Sequence, residues 1–328
     1  MSLLKINQRG LSLIELMVAI TIGLLLLAGV IQVFASTKQT YRVHEGLSRV
    51  QESGRFAMEF LTRDLRMAGF FGCTRSTNSL TNHLNFDFDS NGDGTDDSYS
   101  EALFFNNGGI EGTDDDVGSI NNSDRIVIRS VFGAGLSVAS PFGPTSSANI
   151  KTSTSNGLSQ GDIVIVSDCQ QADMFQITNA NPSTSGTLVH NTGTGTPGNA
   201  TQPLSKIYID DAQIYRTQTL VYTIANGTDG QPALFRNGAE LVSGINSMQV
   251  LYGEDTDASG TANYYVIANN VDMENVVSVQ ISLLVQSDSD NIATSVQSYT
   301  FNGATSTTTD NRLYQVFTST ITLRNRVI

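Results

Sequence analysis

The chain has 328 residues, of which 15% are charged and none is tryptophan; its two cysteines are too few for a metal cluster, and its formal net charge is −13. The charge is uneven: residues 1–75 carry nine Lys or Arg against five Asp or Glu, whereas residues 76–328 carry nine against 26. That acidity argues against direct nucleic-acid binding, which needs Lys and Arg at phosphates, and favours solubility, a cation or a basic partner.

Residues 1–10 are polar, with Lys5 and Arg9 as their charges, which marks the cytoplasmic side of a membrane segment. Residues 11–34 follow with one charge among 24 residues, and about 20 apolar residues span a bilayer as a helix. That charge is Glu15. A carboxylate inside a membrane segment costs roughly 3 kcal/mol on insertion scales, so it implies a cationic partner. Two simpler readings compete. A secretory signal cleaved after Val33-Phe34-Ala35, before Ser36, conflicts with the internal glutamate and the length of the run. A plain membrane anchor needs no glutamate.

Gln8-Arg9-Gly10 followed by Leu11-Ser12-Leu13-Ile14-Glu15-Leu16-Met17-Val18-Ala19-Ile20 resembles the leader of type IV prepilins. The resemblance implies that a membrane peptidase cuts after Gly10 and N-methylates Leu11, where most members carry Phe. It also implies that Glu15 pairs with the amine of a neighbouring subunit, which removes the desolvation cost each ion would bear alone in hydrocarbon.

The helix continues past the membrane run. Val43, Leu47, Val50, Gly54, Ala57, Leu61, Leu65 and Ala68 recur at spacings of three and four, predicting one buried face on a helix over residues 12–68, roughly 85 Å long. Glu45 with Arg49, Glu52 with Arg55 and Glu59 with Arg63 are spaced to pair along other faces, each contributing a few tenths of a kcal/mol. Gly69 and Gly72 are stop signals. The organisation is thus a leader peptide at 1–10, a transmembrane or filament-core half-helix at 11–35, an amphipathic half at 36–72 and an exported β-rich domain at 73–328.

Within that domain, β-branched runs between turn residues predict strands at 124–131, 162–167, 174–178, 207–209, 218–224, 248–252, 264–268, 276–286 and 313–324. Long polar connections separate them at 78–122 and 179–202. The fold class is α+β and pilin-like: a long amino-terminal helix packed on an antiparallel β-sheet with long loop insertions. Cys73 and Cys169, in an exported domain, read as a disulfide, with two unpaired thiols as the alternative.

Asp89, Asn91, Asp93, Thr95 and Asp97 place oxygen atoms at alternate positions around Gly92 and Gly94, as calcium loops do. Position 12 would be Ser100 rather than Glu, so the EF-hand pattern is incomplete. Asp255, Asp257, Ser259 and Asn263 form a weaker copy. In both, an acidic turn that binds nothing is the competing reading. An enzyme is not expected: His44, His83 and His190 are scattered, without an H-E-x-x-H, G-x-S-x-G or phosphate-loop pattern. A catalytic triad would have to assemble in three dimensions.

Three further stretches carry a narrower resemblance: residues 38–43, residues 47–57 and Leu61-Thr62-Arg63-Asp64-Leu65-Arg66-Met67-Ala68-Gly69-Phe70-Phe71-Gly72-Cys73. With Ser167-Asp168-Cys169, Val250-Leu251-Tyr252-Gly253 and Arg324-Asn325, they resemble the PilW family of type IV minor pilins, relatives of the J-type minor pseudopilins. The resemblance implies a non-enzymatic subunit, anchored in the inner membrane with a cytoplasmic amino terminus and then carried into an extracellular pilus. There it would help prime assembly and sit at or near the tip, supporting adhesion and twitching motility. Its implied partners are other minor pilins and the major pilin through the long helix, a PilY-type tip adhesin, and the prepilin peptidase. No cofactor is required, calcium aside. A minor pseudopilin of type II secretion is the alternative. A signal-cleaved periplasmic calcium-binding or hydrolytic protein is a third class, which a mature chain starting at Ser36 would mark.

Overall fold

The computed structural model describes residues 12–73, 79–85 and 108–326. Helix α1 (Leu13–Leu65) runs 53 residues without a break, about 80 Å at 1.5 Å per residue. It starts at Ser12, whose side chain caps it, and the chain then turns through Gly69 and Gly72, both at positive φ. Among the described residues α1 is one helix long and apolar enough to cross a membrane, and residues 12–38 are exposed throughout. Its second half lies on the β domain.

The strands are β1 (Leu80–Asn82), β2 (Ile110–Thr113), β3 (Arg125–Ser137), β4 (Asn149–Lys151), β5 (Ile163–Ser167), β6 (Ala172–Gln176), β7 (Thr187–Val189) and β8 (Gln213–Asn226). A one-turn helix α2 (Pro182–Ser185) precedes β7. Then come β9 (Pro232–Arg236), β10 (Ala239–Ser243), β11 (Ile245–Glu254), β12 (Tyr264–Val266), β13 (Val276–Gln286), β14 (Ser298–Phe301), β15 (Ala304–Thr307) and β16 (Tyr314–Thr322). The architecture is α+β, but the sheet expected from the sequence is two main sheets. One has eight strands in the order β1-β6-β5-β8-β3-β2, extended by β9 and β10; the other orders β12-β11-β13-β16. Pairing is antiparallel except between β1 and β6. β4 pairs β7, and β14 pairs β15.

Strand periodicity explains how the larger sheet covers both faces. In β5, Ile163 and Ile165 pack with Phe71, Leu84, Val131 and Met174, while Val164 and Val166 face Phe175, Ile177 and Ile214. The main core joins both sheets to the helix: Val50, Ala57, Leu61 and Leu65 meet Ile126, Ile128, Tyr222 and Ile224 from one sheet and Met248, Val250, Val279 and Ile281 from the other.

Three expectations are corrected. Leu47 is exposed, and Gly46 takes its place on the buried face. A Cβ at Gly54 would run into the Phe317 ring, and one at Gly46 would press on Ile292 at 3.0 Å, so the helix lies on β16 and the adjoining loop only because these positions carry no side chain. Residues 207–209 form no strand: Tyr208 is buried between exposed Ile207 and Ile209, in the turn that feeds β8. Residues 264–268 form a strand only to Val266, after which Ala268–Asn270 is a 3-10 turn.

Cys73 and Cys169 form a disulfide across a separation of 96 residues, joining the chain just past α1 to the turn between β5 and β6. In the chain-entropy model, closing a loop near this length contributes about 4.7 kcal/mol. At the other end of the fold, the Asn325 side-chain amide donates to the carbonyls of Arg66 (3.4 Å) and Ala68 (3.1 Å), satisfying acceptors that the end of α1 leaves open. Asn325 thus ties the segment after β16 to the end of the helix.

Candidate functional site

The helix is the site. Gly10 and Leu11 lie outside the described residues, but Glu15 is described at the third helical position. Its backbone N–H donates to Ser12 Oγ at 3.2 Å, and its Oε2 accepts from the Ser12 N–H (2.9 Å) and hydroxyl (3.0 Å). This is a reciprocal capping box, which satisfies two orphan donors of the first turn and places a negative charge at the positive end of the helix dipole. The S-x-x-E spacing carried that signal in the sequence. Within one subunit, then, the carboxylate already has a neutral partner, and it keeps lone pairs for a cation.

Further along, Asp64 is buried on the helix, a polar position the apolar pattern hides. Its carboxylate accepts from the Tyr222 hydroxyl (2.5 Å) and Arg236 (3.3 Å), and Arg63 lies 3.1 Å away. Burial, with Asp64 beside it, pushes the Tyr222 hydroxyl pKa up. Of the ion pairs expected along the helix, Glu45 with Arg49 forms at 3.4 Å, whereas Arg63 turns to Asp64.

The structure does bring a histidine, an aspartate and a serine together, at fully buried Asp173. A carboxylate can only accept, so His83 Nε2 donates to Asp173 Oδ1 at 2.5 Å, and His83 Nδ1 meets the Thr201 hydroxyl at 2.7 Å. The hydroxyls of Ser205 and Tyr208 donate to Asp173 Oδ2, each at 2.5 Å. A nucleophilic triad needs the serine on the imidazole; here the carboxylate is the hub and the serine is bonded to it. The hydroxyl on the imidazole is that of Thr201, and the whole forms a hydrogen-bond network centred on the Asp173 carboxylate. Burial alone would raise the Asp173 pKa, but the bonds from His83, Ser205 and Tyr208 outweigh it and hold the carboxyl below its usual range.

Of the two acidic loops, Asp89, Asn91, Asp93, Thr95 and Asp97 lie outside the described residues. In the second, Asp255 accepts from the N–H groups of Asp257 (3.3 Å), Ser259 (3.1 Å) and Gly260 (2.6 Å), and Asp257 accepts from Ser259 at 3.2 Å. Asn263 Oδ1 accepts from the Thr256 N–H at 2.8 Å. These bonds hold the loop in a turn, with the carboxylates of Asp255 and Asp257 accepting from its own backbone. Among the described residues, no group of three or more His, Cys, Asp or Glu is disposed to hold a metal.

Two buried groups give the domain opposing pH responses. His190, its ring tilted against Phe175 with centroids 4.7 Å apart, is pushed down to about 4 by burial, with His83 adding to the effect. Asp124 is pushed up to about 6 by burial, although it accepts from the Val250 and Asp115 N–H groups. Between about pH 6.5 and 4 the unfolded chain protonates His190 and the folded one does not, so this group withdraws stability as pH falls. Between about pH 6 and 3.8 the folded chain protonates Asp124 and the unfolded one does not, so this group adds stability as pH falls. Each contribution is on the order of 3 kcal/mol. Denaturant midpoints measured from pH 6.5 to 4.5 should therefore slope oppositely in two variants. His190→Phe is expected to gain relative to the parent on acidification, and Asp124→Asn to lose.

A β domain with the second half of a long helix built into its core, and the apolar first half bare, defines a type IV pilin-like subunit. Two family models match the chain. The prokaryotic N-terminal methylation motif matches residues 5–31, and the type IV pilus-assembly protein W model matches residues 214–325, which run from β8 through β16. Together the two matches support a type IV pilus minor pilin of the PilW family. Those families are structural pilins rather than enzymes. No curated protein matches the chain significantly.

Proposed function

We propose that this minor pilin helps prime type IV pilus assembly from the inner membrane and sits at or near the pilus tip, where it supports adhesion and twitching motility. The observation that carries the reading is the division of α1: an exposed apolar half with one carboxylate, Glu15, and a second half built into the core of the domain. Such a subunit can leave the bilayer without unfolding, because the apolar half is reburied among equivalent helices while the domain stays intact. Glu15 then moves from its Ser12 cap towards the methylated amine of a neighbouring subunit, and each charge is neutralised as water and lipid headgroups are lost. The PilW match, which spans both main sheets from β8 through β16, favours a pilus over a secretion pseudopilus. Implied partners are the other minor pilins, the major pilin, a PilY-type tip adhesin and the prepilin peptidase.

Mass spectrometry of the mature chain is the direct test. The expected first residue is N-methylated Leu11; a chain starting at Met1 or at Ser36 overturns the reading.

A further inference from the structure

We propose that the outward face of the β12-β11-β13-β16 sheet is a carbohydrate platform that takes a neutral, β-linked polysaccharide chain. This rests on the pilin reading in one respect, that the filament carries the domain to the cell surface, and it deepens the adhesive role by naming a ligand class. Register defines the face. Val250 and Ile281 pair towards the helix and are buried, so their neighbours Gln249, Leu251, Gln280 and Ser282 point the other way. There Gln280 donates to the Thr320 hydroxyl at 3.3 Å, and the Ser282 and Thr318 hydroxyls share a hydrogen bond at 3.0 Å. Thr318, Thr320 and Thr322 are exposed along the outer strand.

Tyr265 is the distinctive group. It sits on β12 opposite Gly253 of β11, and its hydroxyl shares a 2.9 Å hydrogen bond with Ser278 Oγ on β13, the residue that pairs with Gly253 from the other side. The phenol ring therefore crosses β11 above Gly253 and lies along the sheet; a Cβ at that glycine would fall 2.8 Å from the ring. With Tyr265 38% exposed, the other face of the ring is open to solvent. At the opposite end the hairpin of β14 and β15 closes the platform. Tyr299 stacks on Tyr314 with ring centres 5.6 Å apart, and Asn302 in the turn donates to Gln249 Oε1 at 2.9 Å. From Gly253 to Gln249 the floor runs about 13 Å, longer than one sugar ring.

Charge and polarity select the ligand. Residues 76–328 carry nine Lys or Arg against 26 Asp or Glu, yet among the described residues the three outward rows from Gly253 to Gln249 hold no charged side chain. An anionic polymer finds no cation on them and is repelled by the domain as a whole. A basic peptide finds no carboxylate. Leu251 is the one aliphatic side chain in those rows, too little for the apolar centre of a protein interface. What the floor presents is amides and hydroxyls, each of which both donates and accepts, as sugar hydroxyls do. Beside them the open face of Tyr265 is apolar and flat, a seat for the C–H face of a pyranose. A flat chain with its hydroxyls at the rim of each ring meets both.

The test titrates the full chain, purified in detergent from piliated cells, with cellohexaose and with chitohexaose, two neutral β-1,4-linked probes. At least one is expected to bind, with Tyr265→Ala weakening the affinity about tenfold and Tyr265→Phe, which keeps the ring, changing it less than about threefold. Should Tyr265→Ala loosen β12, Thr320→Arg gives a second readout: at an exposed position on the outer strand it sets a long charged side chain on the floor and should also weaken binding about tenfold. Binding of neither probe overturns the platform, as does affinity undiminished in both variants or equal affinity for polygalacturonate, an anionic chain. The amino terminus of the same preparation separates the two claims. N-methylated Leu11 without sugar binding sinks the platform alone, and sugar binding by a chain that starts at Ser36 sinks the pilin reading alone.

Discussion

Glu15→Gln is expected to lower surface piliation at least tenfold, as severely as Glu15→Ala, while leaving leader cleavage and the β domain unchanged. The pair of variants separates two jobs that one carboxylate does. In the capping box, Glu15 accepts from the Ser12 N–H and hydroxyl, and a glutamine amide oxygen can accept the same hydrogen bonds, so Gln keeps the reciprocal bonds that Ala loses, while the Ser12 Oγ bond to the residue-15 N–H survives in both. Losing those reciprocal bonds at an exposed helix end costs about 1 kcal/mol or less, a local cost at the end of a 53-residue helix. The charge is a different matter. If the methylated amine of a neighbour is buried against residue 15, removing the carboxylate leaves that cation unpaired, and breaking a buried pair from one side costs roughly 3–5 kcal/mol. Sheared pili would be counted from equal cell masses, with the mature chain quantified in membranes as a control. Normal piliation in Glu15→Gln with a defect only in Glu15→Ala would reduce the residue to a helix cap.

What the sequence showed and what it hid divide along the range of the interactions. The helix was legible because its signals are local: the apolar run, the three-and-four spacing and the Gly69 and Gly72 stops all act within a few residues. The capping box was equally local. Ser12 and Glu15 carry its pattern at S-x-x-E spacing. Leu47 shows where periodicity reaches its limit. Hydropathy ranks leucine above glycine, yet Gly46 is the buried residue because Ile292 and Leu313 occupy the space a side chain would need. No local pattern encodes that. The same holds for the split into two sheets: β3 and β8 pair across about 90 residues, and β13 and β16 across about 40, so sheet membership depends on long-range partners. Residues 207–209 look like a strand by composition, but Tyr208 is fixed by its hydroxyl on Asp173, and an isolated apolar triplet has no neighbouring strand to join. The disulfide was legible from compartment and number alone, since two cysteines allow one pairing. The Asp173 network was not. Its members, His83, Thr201, Ser205 and Tyr208, are far from Asp173 in the chain and follow no motif spacing.

That network sets the second large effect. Asp173→Ala should destabilise the domain by on the order of 4 kcal/mol, because it leaves the buried His83 imidazole and Tyr208 hydroxyl without an acceptor, whereas the exposed Ser205 hydroxyl can turn to water. For a chain this size that corresponds to a fall of about 10 °C in melting temperature. Asp173→Asn should cost less, about 2 kcal/mol, for a definite reason. An amide offers one acceptor oxygen and one donor nitrogen, and donors approach this carboxylate from both sides, His83 on Oδ1 and Tyr208 with Ser205 on Oδ2. One side is satisfied and the other opposed. The sign with pH follows from the depressed carboxyl. Its stabilisation is complete above about pH 3.9, where the unfolded carboxylate is also ionised, and is lost as the pH falls through the lower folded value. The parent should thus lose stability below about pH 4 more steeply than Asp173→Asn. Ser205→Ala removes one donor and leaves the carboxylate bonded to His83 and Tyr208, so its cost should be close to 1 kcal/mol. Guanidinium denaturation of the detergent-purified chain, followed by near-ultraviolet circular dichroism, measures all three variants. Equal midpoints for Asp173→Ala and Ser205→Ala would mean that the carboxylate is not the hub, and that the hydroxyls and the imidazole find other acceptors when it is gone.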